Sequence, residues 1–209
     1  MAAFVIESSY ESYSRPWSGA AWPIGLVGAK MLQLLNQISP GVKRVVTLFN
    51  PDTAPGGGTY YLRDLEAAAQ SYRIQAITAR AKSDAEIEAV LTSVSTEPGG
   101  GLIVLPDPFM FNRVKTIVSL AARTNLPAIY PWKFAVTRDG GLLSYGPDLM
   151  DIYRRSAPYI DQVLRGVKPA DLPVQVPIKF EMAVNAGTAK ALGLTVAPSL
   201  LVAADEVIE

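Results

Sequence analysis

Short apolar runs rich in β-branched residues alternate along the chain with longer segments in which apolar residues recur every three or four positions. The runs fall at residues 44–50, 74–79, 102–105, 128–130 and 142–145. Nearly continuous apolar strands of this length are typical of a parallel sheet that is buried on both faces. The helical segments between them fit right-handed crossovers. The alternation therefore predicts an α/β fold, a three-layer, doubly wound parallel sheet of about five strands with helices on both faces.

The same pattern divides the chain into three parts. Residues 1–27 are rich in Ser, Tyr, Trp, Gly and Pro and show no sustained periodicity, which predicts an irregular N-terminal arm. Residues 28–148 hold the repeated strand–helix units and form the predicted ligand-binding lobe. In residues 149–209 a helix is followed by a segment at 171–185 with two prolines, which favours an edge strand or a crossing linker over a central strand.

The composition excludes several classes of function. Nineteen basic and 19 acidic residues balance without a basic cluster, so no nucleic-acid partner is expected. The chain has no Cys and no His, which removes His-based triads, Cys nucleophiles and the usual zinc ligands. No cofactor, metal or enzymatic activity is therefore predicted, and an enzyme that uses carboxylates or lysines is the minor alternative.

Ligands of doubly wound sheets bind beyond the carboxyl ends of the strands, which directs attention to the loops there. The loop Pro55–Thr59 contains Gly56, Gly57 and Gly58 directly before a helix, where backbone N–H groups favour a carboxylate or another polar group. A plain connecting loop is the alternative. The loop has neither the Lys-Ser/Thr of a phosphate loop nor the spacing of a dinucleotide fingerprint.

Asp107 follows another strand and lies between two prolines, so its carboxylate is held rigidly. Two roles remain open for it, acceptor of hydrogen bonds from a ligand ammonium group and N-cap of the next helix. Tyr130, Trp132 and Tyr145 stand at neighbouring strand ends, where they form either an aromatic wall for a ligand or part of the core.

Several stretches resemble the tryptophan/tyrosine-type branch of ABC-transporter solute-binding proteins, which have the type I periplasmic-binding fold. The resemblance covers residues 28–209, and its most specific stretches are SYGPDL, KPADLPVQ, TAKALGL and ADEVIE. It implies a lobe with cross-over segments, in which hinge strands lead to the helix after Asp148. The implied function is to bind a small organic solute or amino acid in an interlobe cleft and to deliver it to an ABC permease. An oligomerising or regulatory α/β module is the alternative.

The resemblance also implies the ligand contacts. These are Asn50, Asp52, Gly57, Gly58 and Thr59 in the first loop, Asp107 in the next, Tyr130 in a third and Tyr145 near the hinge. Members that bind amino acids carry serines in the first loop, whereas this chain reads Pro51-Asp52-Thr53. Another small organic solute is therefore as strongly expected as an amino acid.

Family members carry a signal peptide and a complete first lobe, and neither is recognised in this sequence. Met1–Glu7 lacks a basic region, so the chain as written is expected in the cytoplasm, whereas the resemblance implies the periplasm. The interpretation is a truncated product or a domain that has lost its transport role. Loss of a lobe leaves apolar surface, so self-association through the helix bearing Tyr153, Tyr159 and Leu164 is predicted.

Overall fold

The structure is a computed structural model and describes residues 25–209. The predicted N-terminal arm therefore lies outside it up to residue 24, and residues 25–27 belong to the first helix. The helices are α1 Gly25–Ile38, α2 Thr59–Tyr72, α3 Asp84–Ser95, α4 Pro108–Phe111, α5 Val114–Arg123, α6 Phe134–Thr137, α7 Leu149–Leu164, α8 Ala186–Ala191 and α9 Pro198–Ala203. The strands are β1 Arg44–Phe49, β2 Gln75–Arg80, β3 Gly100–Val104, β4 Ala128–Tyr130, β5 Leu143–Pro147, β6 Phe180–Asn185 and β7 Glu206–Ile208.

The strands form one seven-stranded sheet in the order β2-β1-β3-β4-β5-β6-β7. Strands β1 to β5 pair in parallel, as the alternation of strand and helix predicted. Strand β6 runs antiparallel to β5 and parallel to β7. The predicted α/β class with a mostly parallel sheet and flanking helices is confirmed.

The prediction for residues 171–185 was wrong in one respect, because β6 is an interior strand between β5 and β7. Both prolines of the segment, Pro173 and Pro177, precede the strand, so every residue of β6 keeps its backbone N–H for pairing. The C-terminal tail, for which no strand was predicted, supplies β7 as the second neighbour. Gly100 and Gly101 lie in β3.

The core forms on the two faces of the sheet. Helices α1 and α2 share one buried cluster with Val45, Phe49 and Ile103. The two helices approach closely, since a Cβ on Gly28 would lie 2.7 Å from the backbone oxygen of Tyr61. Side chains alternate along a strand, so Val46 faces the second layer. There α3, which contacts β3 and α5, buries Ile87.

The chain divides into two compact units. The larger one contains residues 25–147 and 180–209, and residues 148–179 belong to the smaller one. Within residues 148–179, none of the residues of α7 is buried. The hydroxyl of Tyr159 on α7 donates a hydrogen bond to the carbonyl oxygen of Pro173, at 2.7 Å, which ties the helix to the segment that follows it.

The two ends of the 148–179 segment are joined. The side chain of Asp148 caps α7 by accepting from the backbone N–H of Asp151, and it pairs with Lys179 Nζ at 2.7 Å. The hydrogen bond from Lys179 is the main reason that the pKa of Asp148 lies below its usual value. The backbone N–H of Asp148 also donates to the carbonyl oxygen of Lys179, at 3.0 Å.

Within residues 25–209, no helix has both the length and the apolar character needed to cross a bilayer.

Candidate ligand-binding site

The carboxyl ends of the parallel strands β1 to β5 lie at one edge of the sheet, and the predicted site residues are distributed along this edge. Asn50, Asp52 and the glycine loop follow β1, Asp107 follows β3, Tyr130 ends β4 and Tyr145 lies in β5. Crevices at this edge are where open α/β sheets bind their ligands. The topology therefore gathers the loops that the sequence singled out.

Asp107 joins the first two of these loops. Its Oδ1 accepts from the backbone N–H of Met110 at 2.9 Å and from the hydroxyl of Thr53 at 3.0 Å. Its Oδ2 accepts from the backbone N–H of Asn50 at 3.0 Å. The residue is only 3% exposed. The structure thus shows that Asp107 is the N-cap of α4 and that it holds the loop after β1 by hydrogen bonds. Contact of Asp107 with a ligand stays a prediction.

The loop after β1 is further shaped by its own side chains. Asn50 is buried, and its Oδ1 accepts from the backbone N–H of Asp52 at 2.8 Å, which closes a tight turn. Asp52 is exposed and pairs with Lys82 at 2.8 Å, so the loop after β1 is tied to the loop after β2. These contacts place one exposed carboxylate and one exposed ammonium group at the edge of the sheet.

The glycine loop takes a conformation that depends on glycine. Gly56, Gly57 and Gly58 have φ values of 58°, 61° and 87°, which is the left-handed region that other residues rarely adopt. A Cβ on Gly58 would lie 2.6 Å from the ring of Phe49. Thr59 Oγ1 donates to the carbonyl oxygen of Gly56 at 2.7 Å.

Helix α2 begins directly at this loop, and no side chain caps its first turn. The backbone N–H of Thr59 donates to the carbonyl oxygen of Gly56, and the helix dipole gives this end of α2 a partial positive charge. The arrangement suits a carboxylate or another polar acceptor. Contact of Gly57, Gly58 and Thr59 with a ligand stays a prediction.

The three aromatic residues at the strand ends pack with different neighbours. Tyr130 is 1% exposed, its burial raises the pKa of the phenol well above the ordinary value, and its ring lies against Gly141. Trp132 packs edge-to-face on Phe111, with ring centroids 5.2 Å apart. Tyr145 stacks on Phe180 at 5.8 Å and is half-buried, which raises its pKa.

The sequence analysis missed one group of charged residues at this edge. Lys133, just beyond the end of β4, places its Nζ 2.9 Å from Glu181 of β6 and 3.6 Å from Glu206 of β7. The pKa of Lys133 is raised, chiefly by its hydrogen bond with Glu181. The local signal was the single carboxylate, Glu181, in the otherwise uncharged strand β6.

Among residues 25–209, no three acidic side chains are grouped in a way that suits a metal ion.

The sheet is open and mostly parallel, and it has polar loops at its carboxyl edge. The chain leaves this sheet after β5 and returns to it in the adjacent strand β6. These features define a lobe of the periplasmic-binding type. The family model for ABC transporter substrate binding proteins matches residues 27–208. The chain therefore belongs to that family. No curated protein matches it.

Several solved structures are similar. An ABC domain from Streptococcus pneumoniae in complex with L-Trp is 26% identical with a TM-score of 0.77, over 87% of this chain and 60% of that chain. A conserved domain protein from Vibrio cholerae is 21% identical with a TM-score of 0.76, over 86% of this chain and 60% of that chain. A substrate-binding protein with adhesive properties from Clostridium difficile is 19% identical with a TM-score of 0.59, over 86% and 59%. The latter two show the fold alone. The chain spans about 60% of the length of these structures.

Proposed function

We propose that this chain is part of the solute-binding component of an ABC importer and that it binds a small organic solute or amino acid without transforming it. The observation that carries the proposal is the pair of loops that Asp107 holds together at the carboxyl edge of the sheet, in a chain of this family. The partner that accepts the solute is an ABC permease, so the protein works on the periplasmic side of the membrane. The chain has no His and no Cys, which supports a binding role over a catalytic one.

Each residue at the edge has a proposed role. The partial positive charge at the start of α2, beside Gly57 and Gly58, attracts a carboxylate or another polar acceptor on the solute, and the Thr59 hydroxyl turns from the carbonyl oxygen of Gly56 to donate to it. Asn50 and Asp107 fix the loop that presents them, since both are buried and hydrogen-bonded within the protein. Asp52 is exposed and contacts a donor group of the solute.

The aromatic residues form the apolar side of the proposed site. Tyr145 lies half-exposed near the point where the chain leaves the sheet, and it offers a ring face to the solute. Tyr130 supports the loop that precedes β5, because its ring is buried against Gly141 in that loop. The L-Trp bound in the Streptococcus pneumoniae structure makes L-tryptophan the first probe to test.

The test is a thermal-shift and calorimetric screen with L-tryptophan, L-tyrosine and small organic acids. A solute that binds the folded chain adds about 2.7 kcal/mol of stability at a hundred times its Kd, which is a shift of several degrees in Tm. Thr59→Val is expected to weaken the best solute about tenfold, because one hydrogen bond to a charged group is lost.

Thr96→Val is the matched control for this substitution. Thr96 makes the same local bond, from its hydroxyl to the carbonyl oxygen of Ser93 at 2.7 Å, and it lies at the far end of α3. The affinity of the Thr96→Val variant for the solute should equal that of the unsubstituted chain. Equal effects of the two substitutions, or no stabilisation by any compound, would contradict the proposed function.

Self-association through α7 is also proposed. Met150, Tyr153, Ala157, Ile160 and Leu164 are all exposed and recur at intervals of three and four residues along the helix. This spacing is that of the a and d positions of a coiled coil, and it favours pairing with α7 of a second copy. Light scattering at tens of micromolar should show a dimer, and Ile160→Lys should return the chain to a monomer. A monomer before substitution would refute the proposal.

A further inference from the structure

The loop after β4 lies directly on the two strands where the chain leaves and re-enters the sheet. These strands, β5 and β6, are called the crossing strands here because the chain enters the 148–179 segment after β5 and returns through β6. Gly146 of β5 is the register partner of Glu181 of β6. A Cβ on Gly146 would lie 2.0 Å from the carbonyl oxygen of Pro131, so the backbone of the loop touches the strand.

An ion pair fixes the loop at the same place. Lys133 lies 2.9 Å from Glu181, and the side chains are 35% and 16% exposed. An ion pair between fully exposed side chains contributes little to stability, but a partly buried pair is costly to break because one charge is left without its partner. Glu206 of β7, 3.6 Å from the same ammonium group, is the other acidic group that faces Lys133.

The residues on either side of Lys133, Trp132 and Phe134, connect the loop after β4 to helix α4. Trp132 and Phe134 both pack on Phe111, each with ring centroids 5.2 Å apart. Phe111 is the last residue of α4, which Asp107 caps. Because Asp107 also holds the loop after β1, contacts run without interruption from the first binding loop to the crossing strands.

We propose that Lys133 is a positioning residue: through Glu181 it fixes the loop after β4 on the crossing strands, so that the loop and the start of β6 open and close as one unit. Its ammonium group is occupied by two carboxylates and acts on the protein rather than on the solute. The consequence for solute affinity rests on the proposed function. The joint opening of the two segments does not.

Native-state hydrogen exchange of the whole chain tests the joint opening. Lys133→Met should raise the exchange rates of amides in residues 132–137 and in residues 180–184 by a similar factor, about tenfold. Glu181→Gln should do the same to both segments, although it changes only one of them. The double variant should show no larger rise than either single variant, because all three remove the same interaction.

Two further variants separate positioning from general destabilisation. Lys133→Arg keeps the charge and should keep both segments protected. Arg123→Met breaks the exposed pair of Arg123 with Glu88, 3.4 Å apart on α5 and α3, and should leave both segments unchanged. A rise confined to the segment that carries the substitution, additive effects in the double variant, or no protection by arginine would each overturn the proposal.

Affinity for L-tryptophan gives the second readout. If the chain binds this probe, Lys133→Met should raise its Kd about tenfold, mainly by faster dissociation, and Lys133→Arg should not. An unchanged Kd alongside joint opening would overturn the link to solute binding alone. If the unsubstituted chain does not bind L-tryptophan, the identity of the solute fails, and the exchange experiment still decides whether Lys133 positions the loop.

Discussion

Asp107→Ala is expected to lower the free energy of unfolding by about 2–4 kcal/mol and to abolish solute binding. The substitution leaves three donors without their acceptor, namely the backbone N–H groups of Asn50 and Met110 and the hydroxyl of Thr53. The site is buried, so water replaces the carboxylate poorly. Urea denaturation followed by circular dichroism measures the loss, and calorimetry measures binding.

Two controls make the result specific to the hydrogen bonds. Asp107→Asn retains one acceptor oxygen and should cost less than the alanine substitution. Asp84→Ala removes an exposed carboxylate that pairs with Arg113, and should cost below about 1 kcal/mol. If Asp107→Ala cost no more than Asp84→Ala, the bracing of the β1 loop by Asp107 would be contradicted.

Gly146→Ala is expected to destabilise the chain by about 3 kcal/mol, at the upper end of what an overpacked methyl group costs. The atom that the new Cβ would meet, at 2.0 Å, is a backbone carbonyl oxygen, so no side-chain rotation relieves the clash. The loop after β4 must move away from β5. Thermal unfolding should show the lower stability, and the fluorescence of Trp132 in this loop should shift.

Gly41→Ala is the matched control. A Cβ at Gly41 would have no atom within 4 Å and the residue lies outside the strands, so alanine there should be neutral or add up to about 1 kcal/mol by restricting the unfolded chain. Equal stability of the two variants would show that the contact between Gly146 and Pro131 is absent.

The parallel part of the sheet was predictable because its signal is local. Strands β1, β3 and β4 are short, buried and largely apolar runs, each preceded by a helix with a recognisable apolar face, and buried parallel strands require little else. Strand β6 was misjudged because the prolines that argued against it lie just before it, and its second partner, β7, comes from the end of the chain. Pairing between segments that are far apart in the sequence gives no local signal in either segment.

In the candidate site, too, the features with a local sequence signal were predictable. A carboxylate fixed between two prolines at a strand end already indicated that Asp107 is held in place, and the structure shows the N-cap that was one of its two interpretations. The burial of Tyr130 depends on Gly141, and the pairing of Lys133 with Glu181 depends on the loop lying on β6. Both follow from the tertiary fold rather than from spacing along the chain.

Topologically, residues 148–179 are an insertion into the turn of a β-hairpin. Pro147 and Phe180 are register partners at the end of the antiparallel β5–β6 pair, where an ordinary hairpin would need only a tight turn. The inserted segment closes on itself through Asp148 and Lys179. It contributes no strand to the sheet, so the length and sequence of the insertion can change during evolution while the ladder of hydrogen bonds on either side of it is preserved.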